Sequence, residues 1–424
     1  MRVLVLGAGA KDHAIAWWFS RSTLISALYM APGNPCTSDI AINLEDVDPA
    51  DKEAVYAAVK EHRIDYVFTG TEAPLFSGVI EYLQRRGIAT FGVPERSLRL
   101  ESDRTFARAF TSRHNIKTPR NSVFAEIESL ERYLEKHNGE RFMIKSNAMT
   151  PSRIMMESSE AAPLIEYAKT LFRLGPVMLE EYIEGVSATC TLLMDKNGYI
   201  LLPVASEYTS TKAYQGIATG GMGAVCPLPI IEDVRQAIED EIIKPLLYGM
   251  KVEQLSYRGV LTLSIKITPD LTPYLIDFHV RFNDPATQAM IPTIRTDIVT
   301  ILRAMAQNKL NTIELETSEG YTVAVVLAAD GYPDSPLLGK EIDGVSYVFR
   351  TGCSGRPDVF GGAMRIEHGR MVVAGGRCLT VVGHGMSVEE ANQSAYHLIK
   401  TKRFDNLWYR DDIGLEYFRS GQLS

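Results

Sequence analysis

The chain has 424 residues, 46% of them hydrophobic, and a formal net charge of -8 at pH 7. This length is too great for one ordinary hydrophobic core and predicts roughly two to four domains, and the apolar content excludes a disordered chain. The acidic balance disfavours a dedicated nucleic-acid binder, because contacts to phosphates need clustered Lys and Arg.

The cysteines and the N-terminal segment bear on where the protein works. Five cysteines are scattered without a C-x-x-C spacing, which disfavours a disulfide framework and a zinc knuckle. The chain opens on a strand-like segment with no basic segment leading into an apolar one, and no apolar run reaches the roughly 18 residues of a membrane span. We therefore expect a cytoplasmic protein with no membrane segment.

The first hundred residues predict a Rossmann-like domain. The segment "RVLVLGAGAKDHAIAWWFSRS" is a short apolar run, then glycines, then apolar positions at helical spacing, which is typical of a parallel βα unit. Further strand signals follow at "ALYMAP", "DYVFTG" and "ATFGV", with helices near 51–62 and 75–86. Strands alternating with helices indicate a parallel sheet.

The glycine turn after the first strand favours an anion over a nicotinamide cofactor. It nearly fits G-x-G-x-x-G, but Asp12 stands where the third glycine belongs, and the acid expected about twenty positions later is absent. Backbone N–H groups at a helix N-terminus still suit phosphate, and Lys11 favours an anion. The alternatives are a tight turn without ligand and, for His13, either a ligand contact or a helix-end hydrogen bond.

The middle and the end of the chain change pattern twice. A helix at "ESDRTFARAFTSRHN" precedes short strands around "RFMIKS", "RIMMES" and "VMLEEYI", and strands resume in "ATCTLLMDKNGYILLPVASEY", with a hairpin turn at Asn197-Gly198. More strands follow at "GVLTLSIKIT" and "PYLIDFHVRF". From about residue 321, glycine-punctuated strands lead to a helix that begins at "SVEE", which resembles a capping box.

The segment "DFHVRFNDPATQ" at 277–288 is dense in polar groups directly after a strand. Asp277 and His279 alternate along that strand and so project to one face. They predict either a two-ligand metal site or a hydrogen-bonded Asp-His pair. Imidazole suits zinc, manganese or iron better than magnesium, which prefers oxygen ligands.

Ten segments, taken in order, resemble the phosphoribosylamine-glycine ligase family of the ATP-grasp superfamily over essentially the whole chain. They are "GAGAKDHA", "APGNPCT", "GTEAPL", "LESDRTFARAF", "VMLEEYIEG", "TGGMGAVCP", "DFHVRFNDPATQ", "VVLAADGYP", "GGRCL" and "RFDNLWYRDDIG". The resemblance implies an α/β ATP-grasp ligase architecture in four domains. These are an N-terminal Rossmann-like domain at 1–103, a linker helix and ATP-grasp lid at 104–187, a central ATP-grasp domain at 188–320 and a C-terminal α+β domain at 321–424.

The resemblance also implies the chemistry. ATP phosphorylates a carboxylate to an acyl phosphate, which an amine attacks to give an amide, ADP and phosphate. The implied cofactors are ATP with Mg or Mn. The implied partners are small molecules, a phosphoribosyl-type amine and a carboxylate, with no nucleic acid and no membrane, in a monomer or homodimer.

Residues that match the family's motifs are assigned roles only by that resemblance. Arg281, which in the family lies against phosphate and the amino-acid carboxylate, and Asp284 are the implied catalytic residues; the structural alternative is an ion pair between them. The implied substrate-binding residues are Gly9, Lys11, Asp12, His13, Asn34, Glu72, Gly220, Gly221 and Met222. The implied nucleotide-binding residues are Arg104, Lys145, Glu180, Glu181, Tyr182 and Ile183.

Within that set, Lys145 would bind phosphate, Glu180 or Glu181 would meet the adenine amino group, and the backbone at Tyr182 and Ile183 would read the adenine edge. Arg104 stands where the family usually has lysine. The implied metal ligands are Asp277 and His279, at positions where the family has glutamate and asparagine.

The chain also departs from the family. The lid segment "KSNAMTPSRIMM" has no glycine where the family has a glycine-rich loop, and glycine is what lets backbone approach phosphate. The segment "GVSAT" at 185–189 lacks the acid that contacts ribose, "EYTSTKAY" replaces D-H-K-R beside the amino-acid pocket, and Ala286 replaces a later glutamate.

These departures lead to three functional hypotheses. The main one is an ATP-dependent carboxylate-amine ligase with an altered acid substrate, in specialised metabolism. One alternative is a genuine glycinamide ribonucleotide synthetase of purine biosynthesis. The other is an ATP-independent enzyme or ligand-binding protein on a degenerate ATP-grasp scaffold.

Overall fold

The computed structural model describes residues 1–93, 95–147, 155–212, 216–255, 257–343 and 358–418. Its sheets and helices confirm the predicted α/β class. Among these residues no helix is both long enough and apolar enough to cross a membrane.

The N-terminal domain is a five-stranded parallel sheet in the order β3-β2-β1-β4-β5. Its strands are β1 Arg2–Gly7, β2 Ala27–Pro32, β3 Ile42–Asn43, β4 Tyr66–Thr69 and β5 Ala89–Phe91. Its helices are α1 Ala10–Ser20, α2 Lys52–Glu61, α3 Glu72–Phe76 and α4 Val79–Gln84. Residues 3–6 are fully buried, as a parallel strand covered on both faces requires.

Two helices, α5 Glu95–Ser102 and α6 Arg104–Arg113, follow the first domain. A small antiparallel sheet then forms in the order β6-β9-β7-β8. Its elements are β6 Asn121–Phe124, α7 Ile127–Lys136, β7 Phe142–Ser146, β8 Met155–Ser158, α8 Ala161–Leu171 and β9 Val177–Glu181. The two helices of this lid module bury Leu130, Leu134 and Leu164 against the sheet.

A second antiparallel sheet forms the central domain in the order β11-β10-β14-β15. Its strands are β10 Val186–Met194, β11 Tyr199–Leu201, β14 Gly259–Ile267 and β15 Pro273–His279. The helices nearby are α9 Ile231–Ile238, a π-helical segment Glu239–Ile243 and α10 Lys244–Val252. Phe110 of α6 shares this core with Leu246, so the linker helix packs with the central domain, and its Arg104 and Arg108 also contact the lid strands.

The third large sheet has six strands and crosses the predicted boundary at 320/321. Strands β12 Ser206–Ser210 and β13 Ala218–Cys226 pair with the C-terminal strands through β16. The C-terminal elements are β16 Tyr321–Ala329, β17 Val359–Gly361, β18 Met364–Glu367, β19 Arg370–Val373, β20 Arg377–Gly385, α13 Val388–Lys402 and β21 Leu407–Trp408. The predicted boundary therefore separates strands that share one sheet.

Two helices, α11 Ala286–Met290 and α12 Ile298–Ala306, lie between the central sheet and the N-terminal domain. They share one core with α1, β17 and the N-terminal sheet. Short 3-10 helices at Ile291–Thr293, Leu310–Thr312 and Leu415–Tyr417 complete the described elements. This junction brings the ends of β1, β15 and β20 to one place.

Candidate active site

The turn between β1 and α1 forms one wall of the site. Gly7 has a φ of +145°, and a Cβ there would lie 2.2 Å from the carboxyl carbon of Asp12. Asp12 accepts a hydrogen bond from the Gly9 N–H at 2.9 Å, so the carboxylate occupies the space that a side chain would need. Burial raises the pKa of Asp12 to about 6, against the opposing charge of Lys11.

A row of alternating charges runs from α1 towards β15. The Lys11 Nζ lies 3.9 Å from Glu72 Oε2 and donates to the Phe282 carbonyl at 3.0 Å. The Arg281 Nε lies 2.9 Å from Glu72 Oε1 and 3.1 Å from Glu101 Oε1. Burial opposes ionisation of both carboxyls. At Glu72 the charges of Lys11 and Arg281 outweigh this effect, and at Glu101 the charge of Arg281 and the contact with His279 outweigh it. The pKa of each carboxyl is lowered to about 2.

A cavity of about 880 Å³ opens between the N-terminal, central and C-terminal parts of the chain. The residues that the sequence predicted and that line it are Gly9, Lys11, Asp12, Asn34, Glu72, Gly220, Arg281 and Asp284. Further polar residues in its wall, which the sequence did not single out, include Glu207, Asn283, Tyr332 and Arg377. His13, Gly221 and Met222 are not among the lining residues.

His13 and Met222, which the resemblance assigned to substrate contacts, lie behind the cavity wall. The Nδ1 of His13 accepts a hydrogen bond from the Gly361 N–H at 3.0 Å, and burial lowers the pKa of His13 to about 4. Met222 is fully buried beside Val326 and Ala328. Both residues support the cavity by holding C-terminal strands to it.

Asn34 lines the cavity, but its side chain is engaged in holding two segments together. Its Nδ2 donates to the Ala8 carbonyl at 2.7 Å and to the Gly361 carbonyl at 2.9 Å. Its Oδ1 accepts from the Cys36 N–H at 2.9 Å. The amide therefore joins the β1–α1 turn to the C-terminal domain.

Asp284 pairs with a residue from the C-terminal domain, not with Arg281. The Arg377 Nη1 lies 3.1 Å from Asp284 Oδ1 and donates to the Gly220 carbonyl at 2.9 Å. The Gln288 Nε2 donates to Asp284 Oδ1 at 2.8 Å. At Gly221, with φ +119°, a Cβ would lie 2.4 Å from the Asp284 carbonyl oxygen, which explains why glycine is needed there.

A second cluster of charges lies on the lid side of β15. The buried Lys145 Nζ lies 2.7 Å from Glu180 Oε2 and 3.3 Å from Asp277 Oδ2. The Arg108 Nε donates to Glu180 Oε1 at 2.7 Å, and the Arg104 Nε lies 3.9 Å from Asp277 Oδ1. These three cations exceed the two carboxylates by one positive charge, which suits an anionic ligand.

The residues expected at the adenine are held by other partners. Glu180, one of the two residues expected at the adenine amino group, faces inwards into the ion cluster with Lys145 and Arg108. Glu181 accepts from Arg120 Nε at 2.9 Å. The Tyr182 N–H donates to the Arg141 carbonyl at 2.9 Å, and the Arg141 guanidinium stacks 3.9 Å from the Tyr182 ring centre. Ile183 follows between β9 and β10 and is half-buried.

Asp277 and His279 differ in their fit to a metal. Burial alone would raise the pKa of Asp277, but Lys145, Arg104 and Arg108 outweigh it and hold the pKa below its usual range. This ionised oxygen donor fits Mg²⁺, which usually takes one or two carboxylates beside substrate phosphates. His279 does not fit as expected, because its Nε2 lies 3.0 Å from Ser264 Oγ and its Nδ1 lies 3.3 Å from Glu101 Oε1. Within the described ranges, no three His, Cys, Asp or Glu side chains converge on a metal position.

Two departures from the family pattern fall wholly or partly outside the described residues. Most of the glycine-free lid segment, residues 148–154, lies outside them, and so do residues 213 and 214 of "EYTSTKAY". Two further residues that matter to the site, Glu101 and Arg108, stood within the segment "LESDRTFARAF", but their role was not foreseen. Their charge partners come from β15 and β9, far away in sequence.

Family models match most of the chain. The phosphoribosylglycinamide synthetase N domain matches residues 1–101, its ATP-grasp (A) domain matches residues 102–287 and its C domain matches residues 322–416. The phosphoribosylamine-glycine ligase of Ralstonia nicotianae is 30% identical over 429 residues, covering 98% of this chain and 99% of the relative. That of Salmonella typhimurium is 32% identical, covering 98% of each.

Solved structures agree with the family models. A crystal structure of phosphoribosylamine-glycine ligase from Thermotoga maritima matches with a TM-score of 0.81 and 27% identity, covering 98% of this chain and all of the other. The biotin carboxylase domain of the Hydrogenobacter thermophilus 2-oxoglutarate carboxylase matches with a TM-score of 0.69 at 15% identity, over 97% and 92% of the two chains. These matches confirm the expected ATP-grasp architecture.

Proposed function

Since the chain belongs to the phosphoribosylglycinamide synthetase family of ATP-grasp carboxylate-amine ligases, we propose that it joins glycine to phosphoribosylamine with ATP. The products are glycinamide ribonucleotide, ADP and phosphate. This reaction is a step of purine biosynthesis. The main expectation from the sequence was an altered acid substrate in specialised metabolism. The comparisons favour its alternative, because the relatives reported above are phosphoribosylamine-glycine ligases along their whole length.

The observation that carries the proposal is the position of Arg281. It lines the cavity that holds Lys11 and Glu72, and it lies four residues after Asp277, whose strand β15 borders the Lys145 cluster. A ligase of this kind needs one cation at the point where a nucleotide phosphate and a substrate carboxylate meet. Arg281 supports that role because it belongs to the charge row at the cavity and directly follows β15, whose Asp277 belongs to the lid-side cluster.

The cluster around Lys145 on the lid side of β15 supports binding of a nucleoside triphosphate. Lys145 and Arg104 supply positive charge for the triphosphate, and the Arg108 guanidinium forms an ion pair with Glu180. Preorganised cations of this kind stabilise transferring phosphate without reorganisation during the reaction. When bound, Mg²⁺ or Mn²⁺ would neutralise phosphate charge there, with Asp277 as its ligand from this chain.

The cavity supports the acid and amine half of the reaction. The substrate carboxylate oxygen attacks the γ-phosphorus and ADP leaves; the amine nitrogen then attacks the acyl carbon and phosphate leaves. We assign Arg281 to the charge of the acyl phosphate. We assign Asp284, held by Arg377 and Gln288, to orienting the groups around the attacking amine. The position of the cavity between three domains supports exclusion of water from the reactive intermediate.

The nucleotide part of the proposal is tested with Lys145→Met. We expect Lys145→Met to weaken ATP affinity by about tenfold or more, because it removes a buried charge beside the proposed phosphate site. The matched control, Lys169→Met, removes an exposed lysine that pairs with Glu166 on the lid surface and should leave affinity unchanged. Isothermal calorimetry with ATP and magnesium measures both variants, and thermal unfolding checks that each is folded.

Turnover separates the three hypotheses. Glycine-dependent ADP release in the presence of phosphoribosylamine is the expected result. ADP release with another amino acid but not with glycine would favour the hypothesis of a ligase with an altered acid substrate. No heat from millimolar ATP in calorimetry would overturn both ligase hypotheses and leave the ATP-independent one. We expect this activity in the cytoplasm. We expect the protein to be a monomer or a homodimer.

A further inference from the structure

Glu207, on β12, is a buried carboxylate in the cavity wall. Its side chain accepts hydrogen bonds from the Thr189 hydroxyl, from Asn283 Nδ2 at 3.0 Å and from the Ala286 N–H at 3.3 Å. It is 9% exposed and lines the same cavity as Arg281. Three donors from two segments, β10 and the stretch that leads from β15 into α11, therefore hold one carboxylate in a fixed position.

The donors around Glu207 are all neutral. Among the residues that the structure describes, no Lys, Arg or His forms an ion pair with it, whereas the cations of the cavity each have a carboxylate partner. Lys11 lies near Glu72, Arg281 contacts Glu72 and Glu101, and Arg377 pairs with Asp284. A buried charge without a counter-charge is costly, so this wall is suited to a ligand that brings a positive charge.

From this arrangement we propose that Glu207 binds the ammonium group of an α-amino acid substrate. This inference rests on the proposed function, and it adds the residue that selects an amino acid over a simple carboxylic acid. The zwitterion has two charges to place, and the cavity has a group for each: Arg281 for the carboxylate and Glu207 for the ammonium. An acid without the amine leaves the Glu207 carboxylate without a counter-charge.

The same contact has a consequence for the order of bond formation. An ammonium group bound to a carboxylate keeps its proton and has no free electron pair. The amino acid's own nitrogen therefore cannot attack the acyl phosphate, and the other amine substrate can. Glu207 would thus act on both recognition and the choice of nucleophile.

Glu207 also lies beside Ala286. The resemblance to the family placed a glutamate at 286, and this chain has alanine there. The carboxylate of Glu207 comes to 3.3 Å from the Ala286 N–H from a different strand. This part of the wall therefore carries a carboxylate from β12 next to the position where the family has a glutamate.

The test compares Glu207→Gln, which keeps the shape and removes the charge, with Glu207→Asp, which keeps the charge. We expect Glu207→Gln to raise the KM for glycine by about tenfold or more, the range of a lost charge-assisted contact, with the KM for ATP unchanged. Glu207→Asp should retain part of the glycine affinity. The control Glu232→Gln removes a 78% exposed carboxylate on α9 and should behave as the wild type.

Calorimetry with glycine, and with acetate as a probe without the ammonium group, gives a readout independent of turnover. Glycine heat that is lost in Glu207→Gln, with acetate affinity equal in the two proteins, is the expected result. Equal glycine KM and equal glycine heat in wild type and Glu207→Gln would overturn the inference while the ligase function stands. Wild type that releases no ADP with any amino acid would overturn the proposed function; glycine heat dependent on Glu207 would then still support the site, and no glycine heat would reject it. Thermal unfolding of each variant identifies a variant that has failed to fold, in which case Glu207→Asp decides.

Discussion

Asp12 and His13 are neighbours in the sequence, and burial acts on their protonation in opposite directions. The pKa of Asp12 is raised to about 6 and that of His13 is lowered to about 4. The physical cause is the same, because removing a charge from water disfavours the ionised form of either group. A polar pair at the start of a helix is therefore drawn towards neutrality, while Glu72, beside Lys11 and Arg281, is held ionised.

His13 makes stability depend on pH. Its folded pKa of about 4 lies below the unfolded value of 6.5, so between these values the unfolded chain binds more protons. The contribution of His13 is therefore complete above pH 6.5 and is lost as pH falls towards 4, by up to about 3 kcal/mol. Asp12 has the opposite slope between 3.8 and about 6, and this slope cancels when wild type is compared with a His13 variant.

We predict that His13→Gln, which keeps an acceptor for the Gly361 N–H, loses less stability than wild type between pH 7 and pH 5. Urea unfolding at a series of pH values measures the difference. His397→Gln, at an exposed position on α13, is the control and should follow wild type. Parallel pH profiles for wild type and His13→Gln would contradict the assigned pKa.

At the scale of elements, α1 is buried along almost its whole length. Every residue from Ala10 to Phe19 is buried, because the N-terminal sheet, α11 and β17 cover it from different sides. The sequence predicted the helix from its apolar spacing, and the turn before it from its glycines. What the glycines make room for, the carboxylate of Asp12, became clear only from the turn's geometry.

We predict that Gly7→Ala is more damaging than Gly78→Ala, although both glycines have positive φ. At Gly78 a Cβ meets nothing within 4 Å, so the cost is backbone strain of about 1 kcal/mol. At Gly7 the Cβ would also displace Asp12 from the Gly9 N–H, which adds about 2 kcal/mol or more. Urea unfolding of the two variants checks this order, and equal losses would show that the Asp12 contact contributes nothing.

At the scale of the whole molecule, the cavity exists because three parts of the chain meet. The N-terminal domain supplies Lys11 and Glu72, β15 leads into Arg281, and the C-terminal domain supplies Arg377. Pairing of β13 with β16 holds Gly220 and Gly221 of β13 against the C-terminal strands. The C-terminal domain is therefore part of the site and not an appendage to it.

We predict that Arg377→Met lowers kcat/KM by about a hundredfold, because it frees Asp284 and the Gly220 carbonyl together. Arg365→Met removes a half-exposed arginine of the same domain that pairs with Glu367 and should leave activity unchanged. Steady-state kinetics measures both variants, with thermal unfolding as the check on folding. Wild-type activity in Arg377→Met would show that the interdomain contact does not support the reaction.

Much of the fold could be predicted from the sequence, because local patterns of apolar residues and glycines indicate where strands, helices and turns form. The apolar runs of β1 and β4 predicted a parallel sheet in a Rossmann-like domain, and the change of pattern after it predicted a module of short strands, which the family resemblance identified as a lid. Ten motifs in order predicted the family, and the comparisons confirmed it. Lys11, Glu72 and Arg281 were named before the cavity that they line was known.

Only the tertiary structure decided which charged groups face each other. Glu180 and Glu181 are adjacent identical residues, yet Glu180 is buried against Lys145 and Glu181 lies outside with Arg120. Glu101 and Glu207 gained their roles from partners brought close by the fold, Arg281 for the one and Ala286 for the other. The reason is physical: periodicity records which face of an element is buried, whereas the function of a buried charge depends on distant residues that folding places beside it.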